Sequence, residues 1–529
     1  MIQGCSVNSA LGRWVLLATL LASGTSFLMG TAVIVALPVI QSSLNASIND
    51  LQWVINAQLL SLASLLMIGG SLGDCYGRKR IFITGMSLFA SGAILSALSS
   101  SINLLVTFQA LQGAGAALMI PQSLAIINAC FDENQRGQAI GLWAGLSGGV
   151  ASLGPWVGGW LVENFSWQAI FFLPVPIIVL TIIITAIYVP ESRNASIRHL
   201  DWRGTILIIL GLFGIAYGLI SGPAAGWNNP FVISGLTGGS IAVFLFVFTE
   251  KRQPQPLVPA SLLKNRLVLG ANAVTLLIYF ALNGVFFFLI LNLQQVQELS
   301  PTIAGFALLP LIVIITFLAG PAGALADRIG TRFQMIIGPI ILAIGMATLA
   351  IGGSEANYFR HFLPGLILIG VGMALLIAPL TKLALSVEAQ FSGSASGFNN
   401  AVSRMAALLA VAVLGAVVIS AFTAHLNDTI STSSLAQQEQ AQILAQSNNL
   451  GNIIIPGTFD ESSRQLAERA VKESFIYGFR WAMLVGAGLA LAGALVSIVT
   501  LRGSPPGGRS VSVGTVHGIC GGVADKNPQ

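Results

Sequence analysis

About fourteen separate stretches of this chain are apolar over a membrane-spanning length, and the short segments joining them carry most of its Lys and Arg on one side. A bilayer crossing takes roughly 20 apolar residues as a helix. Only a helix or a closed barrel satisfies every backbone N–H and C=O where lipid offers no partner. The stretches read as helices near 13–38, 51–73, 81–101, 103–129, 138–162, 168–190, 204–222, 231–249, 267–292, 302–325, 334–352, 360–384, 394–420 and 475–501. Only 8% of residues are charged and 55% are hydrophobic, whereas soluble domains are about a quarter charged. The expected fold class is an all-α integral membrane protein.

Lys and Arg in short loops mark the cytosolic side. With the N-terminus inside, eighteen of the 24 Lys and Arg fall on that side, among them Arg13, Arg78, Lys79, Arg80, Arg136, Arg328 and Arg332. Arg360, Arg464, Arg469, Lys472 and Arg480 fall outside, and Arg404 sits within a span. An even number of spans places both termini in the cytosol. The net charge of +5 is spread over many loops and forms no single basic face, which argues against nucleic-acid binding. The first apolar stretch exceeds 20 residues without a small-residue cleavage site, so it reads as a retained span.

Chemistry is poorly represented. Cys5, Cys75, Cys130 and Cys520 all map to the inner side, where thiols stay reduced, so neither a disulfide nor a metal site is expected. The four His lie in loops, the external segment or the tail, and no nucleophile or metal-ligand spacing suggests an enzyme. No Gly-rich phosphate loop ending in Gly-Lys-Ser/Thr is present, which excludes that route to nucleotide use; no cofactor is expected.

One loop occurs twice. Gly70-Ser71-Leu72-Gly73-Asp74-Cys75-Tyr76-Gly77-Arg78-Lys79-Arg80 follows the second span, and Gly323-Ala324-Leu325-Ala326-Asp327-Arg328-Ile329-Gly330-Thr331-Arg332 follows the tenth. Repetition at matching positions indicates two homologous six-span halves with a site at their interface. The expected division is 1–203 for the first half, 204–252 for an inserted pair of spans and 253–501 for the second half, the last including a long external loop at 421–473. The Gly-, Ser- and Pro-rich tail 502–529 is expected to be disordered and cytosolic. Within the loop, Leu435–Gln446 and Asp460–Ser474 have helix-forming composition with capping residues ahead, which predicts short surface helices.

The doubled loop resembles the signature of the major facilitator superfamily. Gly148-Gly149-Val150-Ala151-Ser152-Leu153-Gly154-Pro155-Trp156-Val157-Gly158-Gly159 resembles the antiporter motif of its drug exporters. With the inserted pair, residues 11–501 are similar to the fourteen-span drug:proton antiporter branch. That resemblance implies a secondary transporter in a bacterial inner membrane, which exports small amphiphilic, drug-like molecules by alternating access, with protons as coupling partner. A proton-independent facilitator or exchanger of the same fold, and a receptor or scaffold that has lost transport, stay open as alternatives.

The residues also suggest roles. Gly77 and Gly330 permit tight reversals, and Asp74 with Arg78, like Asp327 with Arg332, has the charge to latch one half against the other. Gly141, Gly145 and Gly149 form a smooth strip for close packing, while Gly154, Pro155, Gly158 and Gly159 read as a hinge, since Pro155 removes a helical hydrogen bond. Asn56, Gln58, Gln109, Gln112, Trp143, Asn283, Asn400 and Arg404 are the candidate lining of a central cavity, with Trp53, Phe286 and Phe287 as apolar neighbours.

Departures from the family pattern bear on coupling. Met29 stands where the resemblance implies an acid, Ile34 where it implies Asn, and Gln109 where it implies the Arg tied to proton transfer. Cys75 and Thr331 replace basic residues in the two latch loops. No Asp or Glu lies inside any expected span; Asp74, Glu163, Glu250, Asp327 and Glu388 lie at ends or in loops, so a boundary acid such as Asp74 or Glu163 would have to take a proton. Arg404 within its span costs roughly 3 kcal/mol or more unless it meets a cavity or partner. A site with Arg404 and no embedded acid favours neutral, zwitterionic or anionic amphiphiles over cations.

Overall fold

Helices account for nearly every described residue, as hydrocarbon requires of a backbone it cannot solvate. The computed structural model describes residues 6–7, 9–193, 202–250, 252, 262, 264–354, 356–384, 386 and 392–501; the expected tail lies outside these. The first eight helices are α1 (Ala10–Leu44), α2 (Ile48–Tyr76), α3 (Arg78–Ala97), α4 (Ile102–Cys130), α5 (Glu133–Ser152), α6 (Gly154–Asn164), α7 (Trp167–Phe172) and α8 (Pro174–Tyr188). Then follow α9 (Trp202–Ala225) and α10 (Pro230–Glu250). The rest are α11 (Arg266–Leu291), α12 (Pro301–Phe306), α13 (Leu309–Ile329), α14 (Thr331–Leu349), α15 (Leu363–Ala384), α16 (Ser392–Ser431), α17 (Gln437–Leu444) and α18 (Glu461–Thr500).

Starts of these helices are locally encoded. The Ser9 hydroxyl accepts from the Gly12 N–H, and Ser47 and Asp50 cap α2 reciprocally. Among the described residues twelve helices are long and apolar enough to cross a membrane, and α2 makes a thirteenth when its bent parts count as one span. The stretch expected as the fifth span is divided at Leu153 into α5 and α6.

Pro155 explains that division. Its ring excludes the carbonyl four residues back, that of Ala151, from the helical ladder. The freed oxygen is met instead by the Thr31 hydroxyl of α1 at 2.8 Å. Gly154 and Gly158 let α1 come this close, because a Cβ on Gly154 would stand 2.0 Å from Thr31 Oγ1 and one on Gly158 2.7 Å from the Ala32 carbonyl.

Helices α9 and α10 are held together by glycines. A Cβ on Gly214 would lie 2.7 Å from the Gly235 carbonyl, and one on Gly239 2.7 Å from the Ile215 nitrogen. The other side of α9 meets both α2 and α16: Leu212 and Ala216 are buried with Leu60, Ala63 and Leu408, and Phe213 sits 5.7 Å from the Trp53 ring. Trp53 therefore packs against α9. Helix α10 contacts the bundle mainly through α9 and leaves Phe231, Ile241 and Phe244 exposed, as a lipid-facing helix does.

Helices α16 and α18 have 40 residues each, about 60 Å at 1.5 Å per residue and twice a hydrocarbon core. They project beyond the bundle with α17 between them. His425 joins them, with Nδ1 3.0 Å from Ser474 Oγ and its ring stacked on Tyr477. Of the two surface helices expected here, Gln437–Leu444 is separate, but Asp460–Ser474 is not: it is the cap and opening third of α18. A helix that leaves the membrane keeps its ladder, and nothing between Ser474 and Phe475 interrupts it.

One end of the bundle carries Arg78, Arg136 and Arg328 and is termed the Arg-rich face. The principal contacts between α1–α8 and α11–α18 lie toward the opposite face, where α6 meets α12, the first half of α2 meets the later part of α16, and α1 meets the π-helical turn Asn292–Val296. A Cβ on Gly159 would lie 2.3 Å from the Pro301 carbonyl, one on Gly305 2.2 Å from the Pro155 carbonyl and one on Gly415 2.1 Å from Gln52 Nε2. Toward the Arg-rich face the surfaces part. Gly141, Gly145, Gly148 and Gly149 of α5 have nothing within 4 Å of a built Cβ, and Leu146 is 53% exposed. The strip expected to be closely packed thus borders open space in this conformation.

Gly159→Ala and Gly305→Ala should each force α6 and α12 apart. In a background without native cysteines, oxidative crosslinking of Trp156→Cys to Phe306→Cys, whose native rings lie 5.6 Å apart, reads this contact. Either alanine should lower the yield by roughly fivefold, the factor for about 1 kcal/mol. An unchanged yield would mean that the seam admits a methyl group and does not depend on glycine.

Candidate substrate site and the contacts that close it

Arg404 lies twelve residues into α16, about 18 Å from its start at 1.5 Å per residue and so near mid-membrane depth. The orientation of α16 is set by Asn399, which donates from Nδ2 to Asn272 Oδ1 at 3.1 Å and Thr275 Oγ1 at 2.9 Å on α11. With that face anchored, Asn400, Ser403 and Arg404, spaced i, i+3 and i+4, share a neighbouring face. Asn400 is exposed and Arg404 half-buried. The guanidinium carbon of Arg404 stands 5.1 Å from the Phe27 ring centroid, and Phe27 belongs to α1 of the other half. Tyr279, at similar depth on α11, is within electrostatic reach. Asn283 is half-buried one turn further, with Nδ2 donating to the Tyr279 carbonyl at 2.7 Å.

Among the described residues no carboxylate lies within ion-pair distance of Arg404. A cation over an aromatic face recovers about 1–2 kcal/mol when desolvated, less than the roughly 3 kcal/mol or more that a charge at this depth costs. An unpaired cation therefore borders the cleft between the halves, beside an aromatic ring. Phe27 was not among the residues singled out from the sequence, since an aromatic in an apolar run carries no distinguishing signal.

Several expected lining residues lie elsewhere. Gln109 is fully buried between α3 and α4, with Nε2 donating to Ser96 Oγ at 3.2 Å and to Gln112 Oε1 at 3.1 Å. Gln112 is buried with it, and the α2 backbone at Gln58 abuts Gly113. Trp143 donates from Nε1 to the Thr19 carbonyl at 3.3 Å and Ser23 Oγ at 3.2 Å, and Ser23 in turn donates to Ser123. These groups bind helices of the first half to one another and do not border the cleft. Phe287 is likewise fully buried. Helical spacing gives a residue's face but not which neighbour covers it. Asn56 is buried one turn from Gln52 on α2, and both atoms of each amide lack a hydrogen-bond partner among the described residues.

The loop pairs also differ from expectation. Arg78 donates from Nε and Nη2 to Asp74 Oδ1 at 3.0 and 2.8 Å and from Nη1 to the Ala125 carbonyl, all within the first half. Glu191, which lies beyond the end of α8, accepts from the backbone N–H groups of Lys79 and Arg80 at 3.0 and 3.3 Å. It thereby caps α3, whose own N-cap is Gly77 at φ 110°, where no side chain is available. A Cβ on Gly77 would meet the Glu191 carboxylate at 2.8 Å. The expected latch across the halves is thus, in this conformation, a clamp inside one of them. Gly330 adopts φ 87° in the second copy and Arg332 is exposed, while the Asp327 side chain lies outside the described residues.

Bonds that do cross the halves cluster at the opposite face. Glu163, one residue past the expected span 138–162, accepts at Oε2 from Ser300 Oγ at 3.0 Å and from the Thr302 N–H at 3.3 Å, at the start of α12. Hydrogen bonds from Thr302 and Ser300 hold its carboxyl below the usual carboxylate value, against a smaller opposing effect of burial. Nearby, Gln294 donates to the Val35 carbonyl at 2.9 Å and Gln295 to Gln41 Oε1 at 2.8 Å. Both amides lie in the π-helical turn Asn292–Val296.

The sequence model for the Major Facilitator Superfamily matches residues 19–211 and 202–411. The chain is 32% identical over 500 residues to multidrug resistance protein Stp of Mycobacterium tuberculosis, covering 92% of this chain and 91% of that protein. It is 29% identical to the tetracenomycin C resistance and export protein of Streptomyces glaucescens, covering 92% of each, and 33% identical to the puromycin resistance protein of Streptomyces alboniger, covering 78% and 83%. In fold it resembles a bacterial homologue of the human lysosomal transporter Spinster, with a TM-score of 0.60 at 16% identity, covering 93% of this chain and 99% of that one. It also resembles the inward-open xylose transporter of E. coli, with a TM-score of 0.54 at 14% identity, covering 94% and 97%. This chain is a multi-pass membrane transporter, not an enzyme, and belongs to the major facilitator superfamily.

Proposed function

We propose that the chain exports small amphiphilic molecules from the cytosol across a bacterial inner membrane by alternating access, with the Arg-rich face and both termini cytosolic. One observation carries this reading: the two sets of helices touch at backbone distance on the face opposite the Arg-rich one and part toward it, so that Arg404 borders a cleft. An amphiphile entering from the cytosol or the inner leaflet meets that cleft first. Closing the Arg-rich side would bring the open glycine surface of α5 against the second half, and the hinge Gly154-Pro155 with Gly158 and Gly159 would carry the motion. Relatives named for resistance to antibiotics and for export support the direction and the substrate class.

Coupling to protons is assigned to Glu163. Its lowered carboxyl value belongs to the form closed at the opposite face, so that form is favoured above the ordinary carboxylate range and loses this share as pH falls through the lowered value. Protonation from outside would then favour opening there. A proton-independent exchanger of the same fold is the second reading, favoured by the lack of any Asp or Glu deep in a span and by Met29 and Gln109 at positions where the family pattern has an acid and Arg. Lipid surrounds the bundle in either case.

Efflux of neutral, anionic and cationic amphiphiles from proteoliposomes, with and without an imposed pH gradient, separates these readings. Gradient-driven net movement supports antiport; flux that ignores the gradient supports exchange; no flux of any amphiphile would end the transport proposal. Glu163 gives a sharper outcome. Acid lowers the yield of any Cys pair because the thiolate is the reacting species, so the Trp156→Cys/Phe306→Cys crosslink is read as the ratio of the Glu163 protein to Glu163→Gln at each pH. That ratio should be constant above the ordinary carboxylate range and fall as pH drops below it, since only the Glu163 protein loses the contact on protonation. A ratio that stays constant throughout would remove Glu163 from the coupling scheme.

A further inference from the structure

Resting on the transport reading, we propose that the cleft is selective for anionic aromatic amphiphiles, with an acidic group of the substrate on the Arg404 guanidinium and its ring system alongside Phe27. Three observations converge. Arg404 stands at mid-depth, half-buried, with no carboxylate at ion-pair distance among the described residues. Among the described residues every Asp and Glu lies in a loop, toward a helix end or in the part of α18 that projects beyond the bundle, so the described middle of the bundle holds a positive charge and no carboxylate to attract a cation. Phe27 already presents its ring 5.1 Å from the guanidinium carbon, and it does so from the opposite half.

The chemistry is set by that arrangement. A guanidinium offers a planar fork of donors that matches a carboxylate or sulfonate in two parallel hydrogen bonds, and its faces stack on aromatic rings. A flat aromatic anion satisfies both properties at once: the acid takes the fork and the ring extends the stack that Phe27 begins. A cationic amphiphile of the same shape meets like charge where desolvation leaves little screening. Because Asn399 fixes α16 to α11, Arg404 cannot readily turn away to admit it. Phe27 and Arg404 belong to different halves, so a ligand between them touches both moving parts, as a coupled substrate must.

Two xanthene dyes of similar shape and opposite charge test the inference: fluorescein, anionic at neutral pH, and cationic rhodamine 6G. Binding is followed by fluorescence polarisation on the full chain in nanodiscs of uncharged phosphatidylcholine, with no gradient and no flux. The wild type should bind fluorescein more tightly. Arg404→Gln should weaken fluorescein by about tenfold or more while leaving rhodamine unchanged or tighter. Arg404→Lys, which keeps the charge and loses the planar fork, should fall between, and Phe27→Leu should weaken fluorescein with the charge intact. Graded loss through Lys to Gln, with rhodamine binding retained, excludes misfolding as the cause. Tighter wild-type binding of rhodamine, or fluorescein binding indifferent to Arg404→Gln, would overturn the inference. Dye efflux that survives in vesicles while the anion preference fails would sink this inference alone. Selective binding without flux of any amphiphile would instead sink the transport reading.

Discussion

Hydrocarbon that accepts no hydrogen bond from the backbone decides where this chain may be irregular. Every break in a spanning helix exposes a carbonyl or an N–H that only another helix can satisfy. The break at Leu153 is tolerated because the Thr31 hydroxyl reaches the Ala151 carbonyl that Pro155 displaces. Thr31 can reach it only because Gly154 and Gly158 remove the side chains that would hold α1 away. The kink, the threonine and the glycines are therefore one device. Its product is a short helix, α6, aimed so that Gly159 and Pro155 meet α12 of the other half.

The seam built on that device is unequal along its depth. At the opposite face it combines backbone contact at Gly159 and Gly305 with the bonds of Glu163, Gln294 and Gln295. Toward the Arg-rich face a Cβ on Gly141, Gly145, Gly148 or Gly149 of α5 would meet nothing within 4 Å among the described residues. Contacts through glycine have little side-chain entropy to lose and no interlocking to undo, which suits surfaces that must separate and rejoin. Helix α9 lies across the same seam against α2 and α16, with small apolar groups such as Ala63 and Ala216 in the contact. Its partner α10, bound mainly to α9, has no comparable hold on either half.

Much of this was legible in the sequence because lipid makes hydropathy a strong signal. The helical, membrane-spanning character, twelve or thirteen spans among the described residues where about fourteen were expected, the doubled loop at Asp74 and Asp327 and the isolated charge of Arg404 emerge from composition, repetition and the cost of burying a cation. Partners were not legible. Trp143, Gln109 and Gln112 have the spacing of lining residues, but their bonds run to Thr19, Ser23 and Ser96 inside one half, and nothing in helical periodicity chooses between a neighbour and a cleft. The clamp on Gly77 comes from Glu191, more than a hundred residues away, after a helix whose end sequence position alone does not locate. Asp460–Ser474 reads as self-contained because its polar composition contrasts with the apolar run from Phe475 onward, although the helix itself does not stop.

Arg404 links these points. Its depth is set by α16 and its direction by Asn399, so it moves with the second half, while the ring that faces it moves with the first. The contact between them is worth less than the charge costs, leaving a deficit that a ligand anion can remove. On the proposed reading a bound anion would act on the seam from within, at mid-depth, and a proton on Glu163 from the opposite face. Both would operate on contacts between the same two sets of helices. Neither needs a carboxylate buried in the membrane, and in that way a chain with Met29 and Gln109 where the resemblance implies an acid and Arg would join a chemical gradient to a change of access.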